Sequence, residues 1–272
     1  MNKEDYLISK LSSKYIGDDG AMVDGLIYSM DAFFENVHFK RDWMSLKQIA
    51  RKAMLVNISD AIAMNAEPLY ALVTLALPKD ISTREIDEIV DSLHGVASEY
   101  GCEIVGGDTI VGERLDFSIT IVSKSQAPLR RVGLEEGDVL AYTGVLGESR
   151  RDLTRLFNGE TISNSSRFIE PILRQEFIKK SATLLKAGMD ISDGLFCDTN
   201  KILEINGLGM ELKEPIADEV GSSGEEYEML VGFSEENLES ILAIARETNT
   251  PLTLFATLKK EGINFECRNH HI

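Results

Sequence analysis

Six aspartates, Asp19, Asp31, Asp60, Asp108, Asp190 and Asp193, sit in short stretches of glycine, serine, threonine or apolar residues. A carboxylate in such surroundings must be paired, coordinated or protonated, and few lysines or arginines lie beside these in the chain. Any fold the chain adopts therefore has to bring positive charge to several carboxylates. Hard divalent cations bound through oxygen meet that demand, and magnesium carrying a phosphate is the leading case. Asp18 and Asp19 follow Gly17, Asp60 ends the run Met54-Leu-Val-Asn-Ile-Ser-Asp60, Asp108 follows Gly106-Gly107, and Asp190-Ile-Ser-Asp193-Gly194 leads into a helix-like stretch.

The balance of 45 acidic to 28 basic residues, net -17, argues against nucleic acid as a partner. An acidic protein still binds a nucleotide or phosphate ester where metal ions reverse the local field. With 272 residues and 43% hydrophobic content, two domains are expected rather than one. No apolar run approaches the roughly 20 residues that span a bilayer, and the start lacks an apolar signal core, so no membrane association is expected. Cys102, Cys197 and Cys267 are odd in number, far apart and without CxxC spacing, which suggests neither a disulfide framework nor a zinc site and fits a cytoplasmic protein.

Strand and helix signals are mixed throughout, the pattern of an α+β fold. Ser82-Thr-Arg-Glu85 is a capping box, and Ile86, Ile89, Val90, Leu93, Val96 and Ala97 recur at helical spacing until Gly101. A second helix is expected over 45–65, ahead of Pro68, and a buried strand over 69–77. Residues 115–123 alternate, with Leu115, Phe117, Ile119 and Ile121 on one face, as in a sheet packed on one side and suited to antiparallel pairing. The polar, turn-rich stretch 127–138 marks the boundary, dividing the chain into 1–136 and 137–272. The second part offers helices near 149–157, 175–187, 195–205 and 234–248, and a last strand pair near 252–258 and 263–267.

Each carboxylate has a plainer alternative. Asp18 and Asp19 suit a turn or helix cap, Gly106-Gly107-Asp108-Thr109 after the strand 103–105 suits a hairpin turn, and Ser192 or Asp193 suits an N-cap. Asp60 is harder to place structurally, because it shares a helical stretch with Asn57 and Ser59 amid Met54, Val56, Ile58, Ala61 and Ile62, where an exposed face would carry lysine or glutamate. Neither a calcium loop, a Walker A loop nor a protein-kinase motif is present.

In order along the chain, Ile16-Gly-Asp-Asp19, Ser29-Met-Asp31, Glu35-Asn-Val-His38, Val56-Asn-Ile-Ser-Asp-Ala-Ile-Ala-Met-Asn-Ala66, Gly106-Gly-Asp-Thr109, Tyr142-Thr-Gly144, Met189-Asp-Ile-Ser-Asp-Gly-Leu195 and Ser223-Gly-Glu-Glu-Tyr-Glu228 resemble the thiamine-monophosphate kinase family of the AIR synthase-like superfamily. The resemblance implies a two-domain α+β fold, an amino-terminal sheet forming a barrel-like dimer interface, and magnesium-assisted transfer of the ATP γ-phosphoryl group to thiamine monophosphate. It implies several Mg2+ ions, ATP as co-substrate and a homodimer. Asp19, Ser29, Asp31, Asp60, Asp108, Asp190 and Asp193 match metal positions, of which Asp60, Asp108 and Asp190 are taken as catalytic. Gly107, Asp108, Arg131 and Ser192 match nucleotide contacts, and His38 and Glu225 face the thiamine phosphate. Arg131 has its own rationale in neutralising phosphoryl oxygens, with surface charge beside Arg130 as the alternative.

Departures from the pattern fall at Met30, where threonine is usual, at Val111 in place of an arginine, at Glu226 in place of aspartate, and in the tail Cys267-Arg-Asn-His-His-Ile272, which lacks an aromatic. The rival expectations are another ATP-using enzyme of the same superfamily and a non-catalytic metal- or nucleotide-binding protein.

Overall fold

A computed structural model describes residues 3–11 and 13–267. A short helix α1 (Lys3–Leu11) precedes the hairpin of β1 (Ala21–Val23) and β2 (Leu26–Phe34), and the long helix α2 (Leu46–Ala63) follows. Strand β3 (Glu67–Pro78), helix α3 (Thr83–Glu99) and strand β4 (Glu103–Gly112) make a parallel crossover, and β5 (Asp116–Lys124) inserts between β2 and β3. Local chemistry fixes both helix starts: Ser45 with Gln48 and Ser82 with Glu85 each close a capping box. Asn65 and Gly101, just past the two helix ends, take left-handed backbone.

The first sheet runs β1-β2-β5-β3-β4, antiparallel except for β3 with β4. β5 alternates as expected: Phe117, Ile119 and Ile121 are buried, with Asp116, Ser118 and Thr120 half-buried on the other face. The buried face packs on α2, which lies against α3. Because α2 is buried on most of its surface, it is the core axis of this half rather than a surface helix. On the opposite face Tyr28, Met30, Tyr70 and Leu72 stay exposed, and the sheet remains open.

One expectation changes here. Gly106-Gly107-Asp108-Thr109 is not a turn after a short strand but lies within β4, paired in parallel with Leu72 to Leu75 after an irregularity at Val105. Gly107 has φ +148, and a Cβ there would stand 1.8 Å from the Val73 carbonyl oxygen, so only glycine lets the two strands approach.

The second half begins with β6 (Val139–Thr143), α4 (Glu148–Phe157), α5 (Gln175–Ser181), β7 (Ala187–Asp190) and α6 (Leu195–Asn206). It continues through β8 (Gly209–Leu212), α7 (Asp218–Gly221), β9 (Met229–Phe233), α8 (Leu238–Glu247) and β10 (Leu252–Lys259), giving an antiparallel sheet of order β7-β9-β6-β10-β8. The helix expected over 175–187 ends at Ser181, because the apolar residues that follow lead into the fully buried strand β7. In place of a strand at 263–267 there is a single bridge from Ile263 to Met210. The hydrophobic cluster around α2 continues into this half through Phe168, Ile169, Phe177 and Met229. Glu228, wholly buried, accepts hydrogen bonds from Thr143, Arg167 and Arg174. Gly144 makes room for it, since a Cβ there would strike its carboxylate.

The cysteine expectation is corrected as well. Cys197 and Cys267 form a disulfide with Cα atoms 5.0 Å apart, leaving Cys102 free and buried. The final segment is brought to α6 by the stacking of Phe265 on Phe196 and by two hydrogen bonds between Phe265 and Asn200. A separation of 70 residues conceals that meeting in the sequence. The tail beyond Cys267, with its missing aromatic, lies outside the described residues. Among those residues no helix is long and apolar enough to cross a membrane.

Candidate active site

A cavity of about 970 Å³ opens between the two halves, and Asp19, Asp31, His38, Asp60, Arg131, Asp190, Ser192, Asp193 and Glu225 all line it. These side chains come from the loop before β1, from β2 and its following turn, from α2, from the connection between the sheets, and from the end of β7 and two loops of the second half. Carboxylate oxygens of Asp19, Asp60 and Asp190 lie within 4.8 Å of one another.

Neighbouring groups hold that cluster in place. Ser59 donates to Asp190 Oδ2 at 2.6 Å, tying α2 to the end of β7. Asn57 Oδ1 accepts the Asp31 amide at 2.8 Å, tying α2 to β2. Asp18 accepts from the Arg130 side chain and the Arg131 amide, so it clamps the connection, while Asp19 pairs with the Arg131 guanidinium. His38 Nδ1 accepts from the Phe34 amide at 2.9 Å, which fixes the neutral tautomer with its proton on Nε2.

Burial raises the Asp60 carboxyl well above the ordinary carboxylate range, and the charges of Asp31, Asp190 and Asp19 add to the effect. Asp190 is likewise raised well above that range, by burial first and then by Asp19, against the lowering by the Ser59 hydrogen bond. Burial also raises Asp19, with Arg131 opposing it. Nearby, Asp198 is pushed up to about 6 by burial, against the lowering influence of Lys201. Lys201 bridges Asp193 and Asp198.

Three crowded carboxylates, raised mainly by burial and crowded by like charge, are the donor set a hard divalent cation suits. The Ser29 hydroxyl, on β2 two residues before Asp31, is buried without a hydrogen-bond partner, but Ser29 is not among the residues lining the cavity. Asp19, Asp60 and Asp190 would hold Mg2+, with Asp31 and Asp193 on the same cavity wall.

Gly107 and Asp108 are not brought to this cavity within one chain. Ala32, Ser118, Thr74 and Asp108 are successive cross-strand partners and share the uncovered face of the sheet. Asp31 belongs to the other face, and β4 is three strands from β2, a span of about 14 Å at the usual spacing.

Sequence reasoning passed over Lys52, Asp198, Lys201 and Tyr227. Only Lys52 left a signal: it precedes Val56 and Asp60 at intervals of four, on one helix face.

Residues 17–124 match the family profile described as AIR synthase related protein, N-terminal domain, and residues 135–266 match the corresponding C-terminal domain. The chain is 31% identical to the thiamine-monophosphate kinase of Aquifex aeolicus, over 82% of this chain and 77% of the relative. It is 34% identical to that of Rhodopirellula baltica, over 73% and 63%. A solved structure described as AaThiL complexed with AMPPCP and TMP superposes with a TM-score of 0.85 at 26% identity, covering 98% of this chain and 95% of that one. The chain belongs to the AIR synthase-related proteins and, within them, to the thiamine-monophosphate kinase family.

Proposed function

We propose that this protein transfers the γ-phosphoryl group of ATP to the phosphate of thiamine monophosphate, yielding thiamine diphosphate and ADP in thiamine diphosphate biosynthesis. The observation that carries this is the meeting of Asp19, Asp60 and Asp190 oxygens within 4.8 Å in a cavity also lined by Arg131, Ser192, His38 and Glu225. The relative bound to AMPPCP and TMP gives the matching pair of ligands.

The acceptor oxygen is already anionic at neutral pH, so the reaction needs little proton abstraction. Its main obstacle is bringing two polyanions into line. Bound Mg2+ supplies charge cancellation on the phosphates. Asp19, Asp60 and Asp190 would hold that charge, and Arg131, if released from Asp19, would add a guanidinium to the transferring oxygens. Ser192 contacts the nucleotide, and His38, donating through Nε2, and Glu225 orient the thiamine phosphate. Two domains, 1–136 and 137–272, both contribute to the cavity that would take the pair.

The active species is a homodimer in which the uncovered faces of the first sheets meet as a barrel-like interface. Exposed Tyr28, Met30, Tyr70, Leu72 and Ile110 supply apolar area for it. The pairing also accounts for Gly107 and Asp108, which lie on the strand it would cover and serve the nucleotide across the interface. A Leu72→Asp variant that stays dimeric in sedimentation would remove this part of the proposal. The cytoplasm, where ATP is supplied, is the proposed compartment.

Mass spectrometry of a reaction with thiamine monophosphate, ATP and Mg2+ is the direct test, with thiamine diphosphate expected only when the metal is present. Phosphorylation confined to a different acceptor, or ATP binding without any turnover, would overturn the assignment.

A further inference from the structure

Lys52 is wholly buried on α2, one turn before Val56 and two before Asp60. Its Nζ lies 2.5 Å from Glu225 Oε2, across the cleft between the two halves of the chain. The ammonium also sits 4.1 Å from the ring centroid of Phe168 and 5.6 Å from that of Phe33. A desolvated ammonium is costly unless paired, and here one carboxylate and two aromatic faces surround it.

Glu225 reaches this cage from a constrained backbone. It has φ 55 and Tyr227 has φ 52, both in the left-handed region that non-glycine residues rarely occupy. Their amides donate to the carbonyls of Ser192 and Ile191, which fastens the loop to the strand end carrying Asp190. Phe33, one wall of the cage, stacks on His38 at 5.6 Å between centroids. The Lys52 cage therefore touches both side chains assigned to the acceptor, Glu225 and His38, whereas Arg131 is engaged with Asp19.

We propose that Lys52 is a positioning residue that reaches from the first half to fix and neutralise Glu225, and so governs binding of the acceptor phosphate ester rather than the nucleotide. This rests on the kinase function given above. Without Lys52, Glu225 faces an already acidic cavity as an uncompensated charge and repels the incoming phosphate. Phe168 does not line the cavity, so a change there reaches the acceptor through Lys52 and the core packing it shares with Trp43, not by direct contact.

The test measures, by calorimetry, binding of thiamine monophosphate and of a non-hydrolysable ATP analogue to wild type, Lys52→Met, Phe168→Leu and Lys52→Met/Glu225→Gln. Lys52→Met is expected to weaken acceptor binding about tenfold or more, with the analogue unchanged within about twofold. Adding Glu225→Gln should cost nothing further, because the unpaired carboxylate is then gone. Phe168→Leu should weaken the acceptor alone by about threefold, and it stands in if Lys52→Met does not fold. Equal loss of both ligands in either single variant, or full acceptor affinity in both, overturns the role of Lys52 while leaving the kinase function intact. A wild-type protein that neither binds thiamine monophosphate nor forms thiamine diphosphate overturns both.

Discussion

Replacing Asp60 by asparagine should make the metal-free protein more stable and at the same time deaf to magnesium. Oxygens of Asp19, Asp60 and Asp190 lie within 4.8 Å of one another, and two unit charges at that separation repel by about 3.5 kcal/mol at an effective dielectric of about 20. Asp19 and Asp60 keep some solvent contact, so screening and partial protonation reduce the gain to roughly 1–2 kcal/mol. Its dependence on pH has a definite sign. Burial, with Asp31, Asp190 and Asp19 beside it, raises the folded Asp60 carboxyl above its unfolded value, so the native state holds a proton that the unfolded chain releases above about pH 4. Stability present below that pH is lost as pH rises through the raised folded value, and a neutral asparagine avoids the loss. The benefit should be small at pH 4 and grow as pH rises towards 8. For 1–2 kcal/mol, thermal unfolding in chelator at pH 8 should show Tm higher by about 2–8 °C. Magnesium at about 100 times its Kd should then add about 2.7 kcal/mol to the wild type and little to the variant, which should also lose most turnover. A variant no more stable than wild type in chelator at pH 8, or one with an undiminished magnesium response, would refute the picture of a crowded, cation-demanding cluster.

Glu228→Ala strands the Arg167 and Arg174 guanidiniums in the interior; a loss of about 3–5 kcal/mol is expected by chemical denaturation, and a loss below about 1 kcal/mol would contradict it. Under oxidising conditions Cys197→Ser should remove about 2–4 kcal/mol through loss of the tie across 70 residues, and reductant should abolish the difference from wild type. Burial pushes the Cys102 thiol up to about 11, so alkylation at pH 8 should label two thiols after reduction and none before; label on the unreduced folded protein would count against the bridge.

Features governed by neighbours in the chain were legible from the sequence. The Ser82–Glu85 box starts α3 where expected, and the alternation in β5 separates its two faces. The aspartates of α2, of the loop before β1 and of the end of β7 share a cavity, as their costly surroundings implied. Asp108 shows what composition cannot carry: the chemistry of a carboxylate is visible, but its face depends on a register with Thr74 and Ser118 that pairing alone settles. Lys52 was passed over because a lysine in an apolar helix looks like a solvated side chain until its partner, 173 residues away, arrives. The bridge between Cys197 and Cys267 was hidden in the same way, by chain distance.

The helix that carries Lys52, Asn57, Ser59 and Asp60 is also the most deeply enclosed segment of the first half. Softening of that interior and loss of catalysis must consequently run together: a protein warmed until α2 loosens forfeits its anion-handling apparatus in the same step. Heat inactivation and melting of the first half should follow a single curve, and substitutions that raise working temperature without touching chemistry have to be sought away from this helix.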